Sequence, residues 1–183
     1  MGVDISENMI ELARQEETRE PLGIEYIVCD VLELGEIDKF DLVVATYLLH
    51  YAQTKEQLLK MCQSIYVNLK PGGHFVTINN NMELSPNFYS KCEKYGQTQT
   101  CSGPLDEGSP ITQTFTTVDG QKVSFDNYYF SKATYEQAFK NVGFKDIRWH
   151  PLKVSPEGVQ EFGQEYWQDI LDYPPEVGIE CVK

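Results

Sequence analysis

The sequence lacks the features that direct a chain to a membrane or to a polyanion. No apolar run approaches the ~20 residues of a membrane-spanning helix, and the N-terminus has no signal-peptide profile. Lys and Arg number 15 against 28 Asp and Glu, which gives a net charge of −13. Nucleic-acid binders need basic patches to neutralise phosphates, so this balance argues against such a partner. We expect a cytoplasmic protein with neither nucleic-acid nor membrane partners.

Cysteine and histidine are also used in ways that exclude several kinds of site. The five cysteines are scattered and form no CxxC motif. None pairs with a histidine at metal-ligand spacing. We therefore predict reduced thiols and no metal site. The length of 183 residues suits one domain with a substantial core.

Helical and strand patterns alternate through residues 1–80. Ser6 is a candidate N-cap for a helix that runs to about Arg19, with Met9, Ile10 and Ala13 on its inner face. Two β-rich runs follow, IEYIVCD and FDLVVAT. The second is nearly all apolar, which is typical of a central parallel strand buried on both faces.

A second helix and a third strand extend this alternation. Thr54-x-x-Gln57 is a capping box, and apolar residues at helical spacing follow it. We predict that LKPGG ends this helix in a turn and that HFVTIN forms the next strand. Because helices between strands act as crossover connections, the order favours an α/β fold with a mostly parallel, Rossmann-like sheet.

Residues 81–130 differ in composition and are rich in Asn, Tyr, Gly, Pro and Thr. Within them, TFTTVDGQKVSFDNYYF places Asp119-Gly120 between two alternating segments, which predicts a β-hairpin. We interpret 81–130 as an insertion over the mouth of the sheet. It would form a lid within a single domain that spans residues 1–183.

The C-terminal third returns to helix and strand patterns. Thr134-x-x-Gln137 is a second capping box and predicts a helix that Gly143 ends. FKDIRWH is predicted to be a strand and PEGVQEFGQEYWQDIL a helix. The last segment, GIECVK, is predicted to be a short antiparallel edge strand.

Two acids stand at the ends of predicted strands, where open parallel sheets bind their ligands. The carboxylate of Asp4 could accept both ribose hydroxyls of a nucleoside, and that of Asp30 the exocyclic amine of adenine. Strand-end aspartates are also common turn formers and helix caps, so each acid alone leaves that alternative open. Together they favour a nucleoside site.

Four segments resemble the successive motifs of class I S-adenosylmethionine-dependent methyltransferases, in that family's order and at its spacing. They are GVDISENMIELARQ, IEYIVCDVLEL, FDLVVATYLLHYA and LKPGGHFVTIN. AFKNVGFKDIRWH fits the family's later helix and strand. The resemblance implies S-adenosyl-L-methionine as the cofactor and a small-molecule methyl acceptor.

By the same resemblance, Asp4 would bind the ribose hydroxyls and Asp30 the adenine amine. The cofactor-binding residues that it implies are Asp4, Ile5, Met9, Asp30, Val31, Ala45 and Thr46. The family's first strand and glycine-rich loop are absent from the sequence. We therefore expect an N-terminally truncated sheet with unpaired strand edges.

The later segments are similar to a subgroup of toxoflavin-synthase-like methyltransferases, notably in YLLHYA, TINNN and DNYYFSKATYEQAFKNVGF. This similarity implies N-methylation of a nitrogen heterocycle. The candidate catalytic residues are His50 and Tyr47, and the candidate substrate-binding residues are Tyr51, Asn80, Tyr128 and Tyr129.

His50 is a candidate general base because an unperturbed histidine titrates near neutrality. A histidine here is also often a packed helix residue, and the tyrosines of the insertion could serve only to pack the lid. Two other classes stay open. One is another nucleotide-binding enzyme, such as a nicotinamide-dependent dehydrogenase, and the other is an inactive methyltransferase-like domain. The sequence predicts no oligomeric state.

Overall fold

The computed structural model describes residues 1–183 and arranges nine strands in three sheets. The strands are β1 (Gly2–Asp4), β2 (Tyr26–Val28), β3 (Phe40–Val44), β4 (Leu69–Asn80), β5 (Gln97–Cys101), β6 (Pro110–Thr116), β7 (Lys122–Tyr128), β8 (Lys145–His150) and β9 (Glu176–Val182). The helices are α1 (Glu7–Arg19), α2 (Lys55–Val67), α3 (Lys132–Val142), α4 (Pro156–Phe162) and α5 (Gln168–Asp172). Three 3-10 helices lie at Leu49–Tyr51, Pro86–Tyr95 and Gln164–Trp167. The chain therefore has the predicted mixed α/β class.

α1 connects β1 and β2, which form a separate two-stranded parallel sheet. The predicted N-cap is confirmed, because the Ser6 hydroxyl accepts a hydrogen bond from Met9 N at 3.3 Å. Ile10 is buried, whereas Met9 is 54% exposed, so the placement of Met9 on the inner face was wrong. One residue corresponds to about 100° of helix rotation, which carries Met9 off the buried stripe.

The main sheet consists of β3, β4, β9 and β8, in that order. β3 and β4 are parallel, whereas β9 runs antiparallel to both of its neighbours. The predicted antiparallel edge strand was therefore wrong in its position, because GIECVK belongs to β9 inside the sheet and β8 is the edge. Ile179 and Cys181 of β9 are completely buried. Because β9 has a paired strand on each side, its apolar side chains are more completely buried than they would be at an edge of the sheet.

β3 forms the other edge of the main sheet, because it pairs only with β4. Val43 packs against the core, but Leu42 and Val44 are 53% and 58% exposed. The prediction that this strand is central and buried on both faces was therefore wrong for these residues. No helix covers the face that carries Leu42 and Val44, and no strand pairs with the outer edge of β3.

α2 begins at the predicted capping box. Thr54 Oγ1 accepts a hydrogen bond from Gln57 N at 3.2 Å, and Gln57 Oε1 accepts one from Gln53 N at 2.7 Å. The helix ends at Val67, and LKPGG forms the irregular first part of β4 instead of a turn before it. Gly72 has a φ of +77° there, and the pairing with β3 shifts its register in this segment.

β5, β6 and β7 form a three-stranded antiparallel sheet within residues 81–130. β6 and β7 are joined by a tight turn in which Gly120 has a φ of +83°. The 3-10 helix Pro86–Tyr95 precedes this sheet, and a small hydrophobic cluster of Leu84, Tyr89 and Ile111 joins the two. This insertion therefore has a small core of its own.

α3 begins at Lys132, so the prediction that a Thr134 capping box starts it was wrong. Ser131 is the cap, and its hydroxyl accepts a hydrogen bond from Thr134 N at 3.3 Å. Ser131 Oγ and Thr134 Oγ1 both donate to Oε1 of Glu107, at 2.6 and 3.0 Å. Gly143 ends the helix as predicted, with a φ of +110°. The long helix predicted after it is instead divided into α4, a 3-10 helix and α5.

The main core includes 15 buried residues drawn from the main sheet, α2, α3 and the segments beside them. Phe75 of β4, Phe139 of α3 and Phe144 contact one another within it. This packing fixes the carboxyl ends of β3 and β4, where the candidate functional residues begin. None of the helices combines the length and the apolar character that crossing a membrane requires.

Candidate functional site

A cavity of about 1080 Å³ separates the two-stranded sheet from the edge strand β3. Most of the residues that line it are apolar. Eight of the predicted site residues line this cavity, namely Asp4, Ile5, Asp30, Val31, Ala45, Thr46, Tyr47 and Tyr51. The structure thus brings together residues that the sequence places in three separate segments.

Asp4 and Asp30 lie at the ends of two adjacent strands. Asp4 Oδ1 accepts a hydrogen bond from Ser6 N at 2.7 Å, and Asp30 Oδ1 accepts one from Leu32 N at 2.9 Å. These are the local turn bonds that strand-end aspartates commonly make. The second carboxylate oxygen of each acid has no hydrogen bond within the protein. The two acids can therefore also accept the hydroxyl and amine donors of a nucleoside.

The chain leaves β3 through Ala45 and Thr46 and changes direction at Tyr47. Ala45 N and Tyr47 N donate to carbonyls of β4 at 3.1 and 2.8 Å, which keeps the segment beside that strand. Tyr47 has a φ of +57°, a left-handed conformation that is uncommon for a tyrosine, and strained residues of this kind cluster at functional sites. Burial and the charge of Glu176 raise the pKa of Tyr47. Its hydroxyl therefore stays protonated and can donate a hydrogen bond.

His50 lies in the 3-10 helix that follows this segment and does not line the cavity. It is 3% exposed, and its ring centroid lies 5.8 Å from that of Tyr47 and 5.0 Å from that of Tyr51. Neither ring nitrogen has a hydrogen-bond partner. Burial lowers the pKa of His50 to about 4. The residue is therefore neutral and weakly basic at pH 7, which counts against the predicted base role.

Asn80, at the end of β4, connects the main sheet to the inner face of the three-stranded sheet. Its side-chain amide donates to Asn127 Oδ1 at 3.2 Å, and its Oδ1 accepts from Gln113 Nε2 at 2.9 Å. Tyr51 reaches the same face, where its ring centroid lies 6.3 Å from that of Phe125. Of the predicted acceptor-side residues, Asn80 and Tyr51 therefore meet at one surface.

The other predicted site residues lie elsewhere. Tyr128 packs against the main core and Tyr129 against the small cluster of the insertion. Successive residues of a strand point to opposite faces, so Tyr128 points away from its neighbour Asn127. Met9 does not line the cavity. The structure does not bring these three residues together with the others.

Glu176 is a buried carboxylate beside this site, and the sequence pattern did not reveal it. It opens β9 and lies opposite Asn80 in the register of β4. It is 9% exposed, and its Oε1 accepts a hydrogen bond from Gln97 Nε2 at 2.7 Å. Burial raises the pKa of Glu176. The only feature of the sequence that points to this burial is the position of Glu176 directly before the largely apolar run VGIECV.

One cysteine, Cys29, lines the cavity. All five cysteines are free, and burial raises the pKa of Cys181 to about 12, so that thiol stays protonated. No three His, Cys, Asp or Glu side chains are grouped in a way that could hold a metal ion. The chemistry available here is that of carboxylates, amides, hydroxyls, one thiol and one neutral imidazole.

A large part of the chain is similar to known proteins. A family model described as a methyltransferase domain matches residues 1–143, well over half of the chain. The chain belongs to this family. Asp4 and Asp30 have the chemistry to hold a nucleoside.

One relative and two solved structures illustrate how far the similarity extends. A ubiquinone biosynthesis O-methyltransferase from Coxiella burnetii is 32% identical over 85 residues, which are 45% of this chain and 35% of the relative. The chain therefore spans about a third of the length of the curated relatives it matches.

The structures show the fold of the methyltransferase domain. A putative S-adenosylmethionine-dependent methyltransferase from Listeria monocytogenes has a TM-score of 0.66 at 20% identity, covering 100% of this chain and 78% of that one. The N-methyltransferase NodS from Bradyrhizobium japonicum, solved in complex with S-adenosyl-l-homocysteine, has a TM-score of 0.55 at 13% identity. That match covers 99% of this chain and 64% of NodS. The class I methyltransferase fold expected from the sequence is therefore confirmed.

Proposed function

We propose that this methyltransferase domain transfers a methyl group from S-adenosylmethionine to a small molecule, with a nitrogen of a heterocycle as the acceptor. The observation that carries the proposal is the cavity that collects Asp4, Asp30 and the segment Ala45–Thr46 at the ends of three strands. Polar side chains of the insertion lie next to its Tyr47 and Tyr51 wall. A donor site and an acceptor site would therefore adjoin.

On the donor side, the chain offers two carboxylates and an apolar wall. Asp4 would hold the ribose hydroxyls and Asp30 the adenine amine, with Val31 and Ile5 against the adenosine. Ala45 and Thr46 would lie along the methionine part. When bound, the cofactor supplies an electrophilic methyl group whose bond to sulfur breaks as the bond to the acceptor forms, leaving a neutral thioether. The residues present here orient the two partners for this displacement.

On the acceptor side, a nitrogen nucleophile that carries a proton must lose it. His50 is a weak base here, because burial lowers its pKa to about 4. Glu176 is the better candidate, because it lies opposite Asn80 in the sheet and burial raises the pKa of its carboxyl, which makes it a stronger base. Tyr47 and Tyr51 would position the acceptor through their rings and hydroxyls.

A further part of the proposal concerns the gap between the sheets. β1 and β3 each pair on one side only, and their free edges face the same cavity. Unpaired backbone groups of this kind favour the addition of a strand. We infer that a strand and a glycine-rich loop that these 183 residues do not contain complete the cofactor site. Segment 81–130 would then close the acceptor side as a lid within one domain.

Isothermal titration tests the proposal directly. S-adenosylhomocysteine and NAD are each titrated into the 183-residue chain and into a form extended by the in-frame sequence upstream of Met1. Binding of S-adenosylhomocysteine, tighter in the extended form, is the expected result. Binding of NAD alone would favour the dehydrogenase class. If neither form binds either ligand, the chain is an inactive methyltransferase-like domain.

A further inference from the structure

We propose that a group of buried amides on the inner face of the three-stranded sheet recognises the methyl acceptor, and that this acceptor is a neutral, planar lactam or imide. The group, called the amide cluster below, consists of Asn80, Gln99, Gln113 and Asn127. This inference rests on the proposed function and names the substrate class of the same site.

The strand register brings the amide cluster together. Gln99 of β5 lies directly opposite Gln113 of β6, so their side chains share a face of the insertion. Asn127 of β7 is two residues from Phe125, the partner of Gln113, and therefore lies on that face too. Asn80 joins this face to β4 through its bonds to Gln113 and Asn127, at 2.9 and 3.2 Å.

The amide cluster holds more polar groups than it satisfies. Gln99, Gln113 and Asn127 are each 6% exposed or less, and each has one amide atom without a hydrogen-bond partner, namely Gln99 Nε2, Gln113 Oε1 and Asn127 Nδ2. Such a group costs free energy when buried, and native proteins rarely leave several of them close together. Three in one region therefore indicate a ligand or bound water that completes their bonds.

The chemistry of the unpaired atoms defines the ligand. An amide offers a carbonyl acceptor on one side and an N–H donor on the other. A lactam or imide ring presents the complementary alternation along its edge. The amide cluster contains no cation that would attract an anion, and Glu176 lies beside Asn80 in the sheet. A neutral ring therefore fits better than a carboxylate or a phosphate.

The position of the amide cluster is that of an acceptor site. Asn80 is the last residue of β4, and Tyr51 lines the cavity while its ring approaches Phe125 on the inner face. A planar ring held by the amides would thus lie between the insertion and the wall formed by Tyr47 and Tyr51. Aromatic rings at such a wall also stack on planar ligands.

The test measures binding of two neutral probes, uracil and lumazine, to the protein with and without S-adenosylhomocysteine. Catechol serves as the phenolic comparison. We expect the imides to bind and Gln113→Met to weaken them roughly tenfold or more, the usual loss when a buried polar contact has no partner. Thr114→Val, on the next residue of β6 but with its side chain on the other face, should leave binding unchanged.

Two results would overturn the proposal. In one, catechol binds but neither imide does. In the other, imide binding is the same in Gln113→Met as in the parent, which would assign the amide cluster to structure and buried water. If Gln113→Met does not fold, side-chain amide signals of the unmodified protein replace it. The signals of Gln99 and Asn127 must shift on adding lumazine, and unchanged signals at saturation would exclude the site.

The outcomes also separate this inference from the proposed function. Titration of S-adenosylhomocysteine alone reports on the donor site and does not involve the amide cluster. If the cofactor product binds and the imides do not, the methyltransferase proposal stands and the acceptor class is wrong. If the imides bind and the cofactor product does not, the donor site fails while the acceptor site is supported.

Discussion

The side-chain amide of Asn80 donates a hydrogen bond to Asn127 Oδ1 at 3.2 Å, and this contact joins the main sheet to the insertion. Asn80 is the last residue of β4, while Asn127 lies near the end of β7. The same Asn80 accepts from Gln113 at 2.9 Å. A single side chain thus holds two strands of the insertion over the carboxyl end of the sheet. The position of the proposed acceptor site depends on this connection.

Replacing Asp4 should weaken cofactor binding more than replacing His50. Asp4→Ala removes a carboxylate proposed to accept ribose hydroxyls, and a lost charged hydrogen bond commonly weakens binding about tenfold or more. His50→Ala removes a ring that does not line the cavity. Titration of S-adenosylhomocysteine into the extended form measures both. Asp4→Asn keeps an acceptor for Ser6 N and serves as the matched control for local folding. A larger effect of His50→Ala would contradict our assignment of Asp4.

The buried His50 should make the protein less stable in mild acid. The unfolded chain takes up a proton near the ordinary pKa of 6.5, whereas the folded chain does so only near 4. This contribution to stability is therefore complete above pH 6.5 and is lost as the pH falls towards 4. The expected loss is about 3 kcal/mol.

Urea unfolding at several pH values, followed by circular dichroism, measures this loss. His50→Gln cannot titrate and provides the reference, because all other groups cancel in the difference between the two proteins. The difference should grow in favour of His50→Gln as the pH falls from 6.5 to 4. Parallel stability curves would show that His50 is more accessible to protons than the structure indicates.

The left-handed backbone at Tyr47 predicts an inverted preference between alanine and glycine. Both Tyr47→Ala and Tyr47→Gly remove the ring, so their difference isolates the backbone. A φ of +57° is strained for alanine and not for glycine. Tyr47→Gly should therefore be more stable than Tyr47→Ala by about 1 kcal/mol. Chemical denaturation measures both, and a more stable alanine variant would argue against this conformation.

A pair of glycines separates backbone strain from steric clash. Both Gly120 and Gly143 have positive φ, at +83° and +110°. A Cβ at Gly120 would meet no atom within 4 Å, whereas one at Gly143 would lie 2.7 Å from the Tyr66 hydroxyl.

Gly120→Ala should therefore cost about 1 kcal/mol from strain alone, and Gly143→Ala roughly 2–4 kcal/mol, because overpacking adds to the strain. Thermal and urea unfolding compare the two variants. Equal losses would mean that the contact with Tyr66 relaxes without cost.

The sequence predicted best those features that depend on neighbours along the chain. The caps at Ser6 and Thr54 and the end of α3 at Gly143 each follow from a few adjacent residues, and all three are present. The start of α3 was missed because Ser131 and Thr134 are both good caps. Glu107, a residue distant in sequence, binds both hydroxyls.

Features that depend on pairing between distant segments were harder to predict. The apolar run of β3 indicates burial, but its neighbours in the sheet decide whether Leu42 is covered. GIECVK does not reveal that β9 lies between β4 and β8. Glu176 is buried because β9 pairs with these distant strands, so its burial could not be predicted from the sequence. The site residues that the structure brings together are those at strand ends, because sheet geometry places such ends side by side.

The separation of β1, α1 and β2 from the remaining elements has a consequence for ligand affinity. These three elements contact one another, and none of them packs extensively on the main sheet. Such a unit can open locally without global unfolding, and Asp4 would move with it. Molecules with the unit detached cannot bind, so the apparent dissociation constant equals the intrinsic one divided by the closed fraction. A bound nucleoside would then hold this unit against the rest of the chain. Slower amide hydrogen exchange in residues 2–28 on adding the ligand would show this stabilisation.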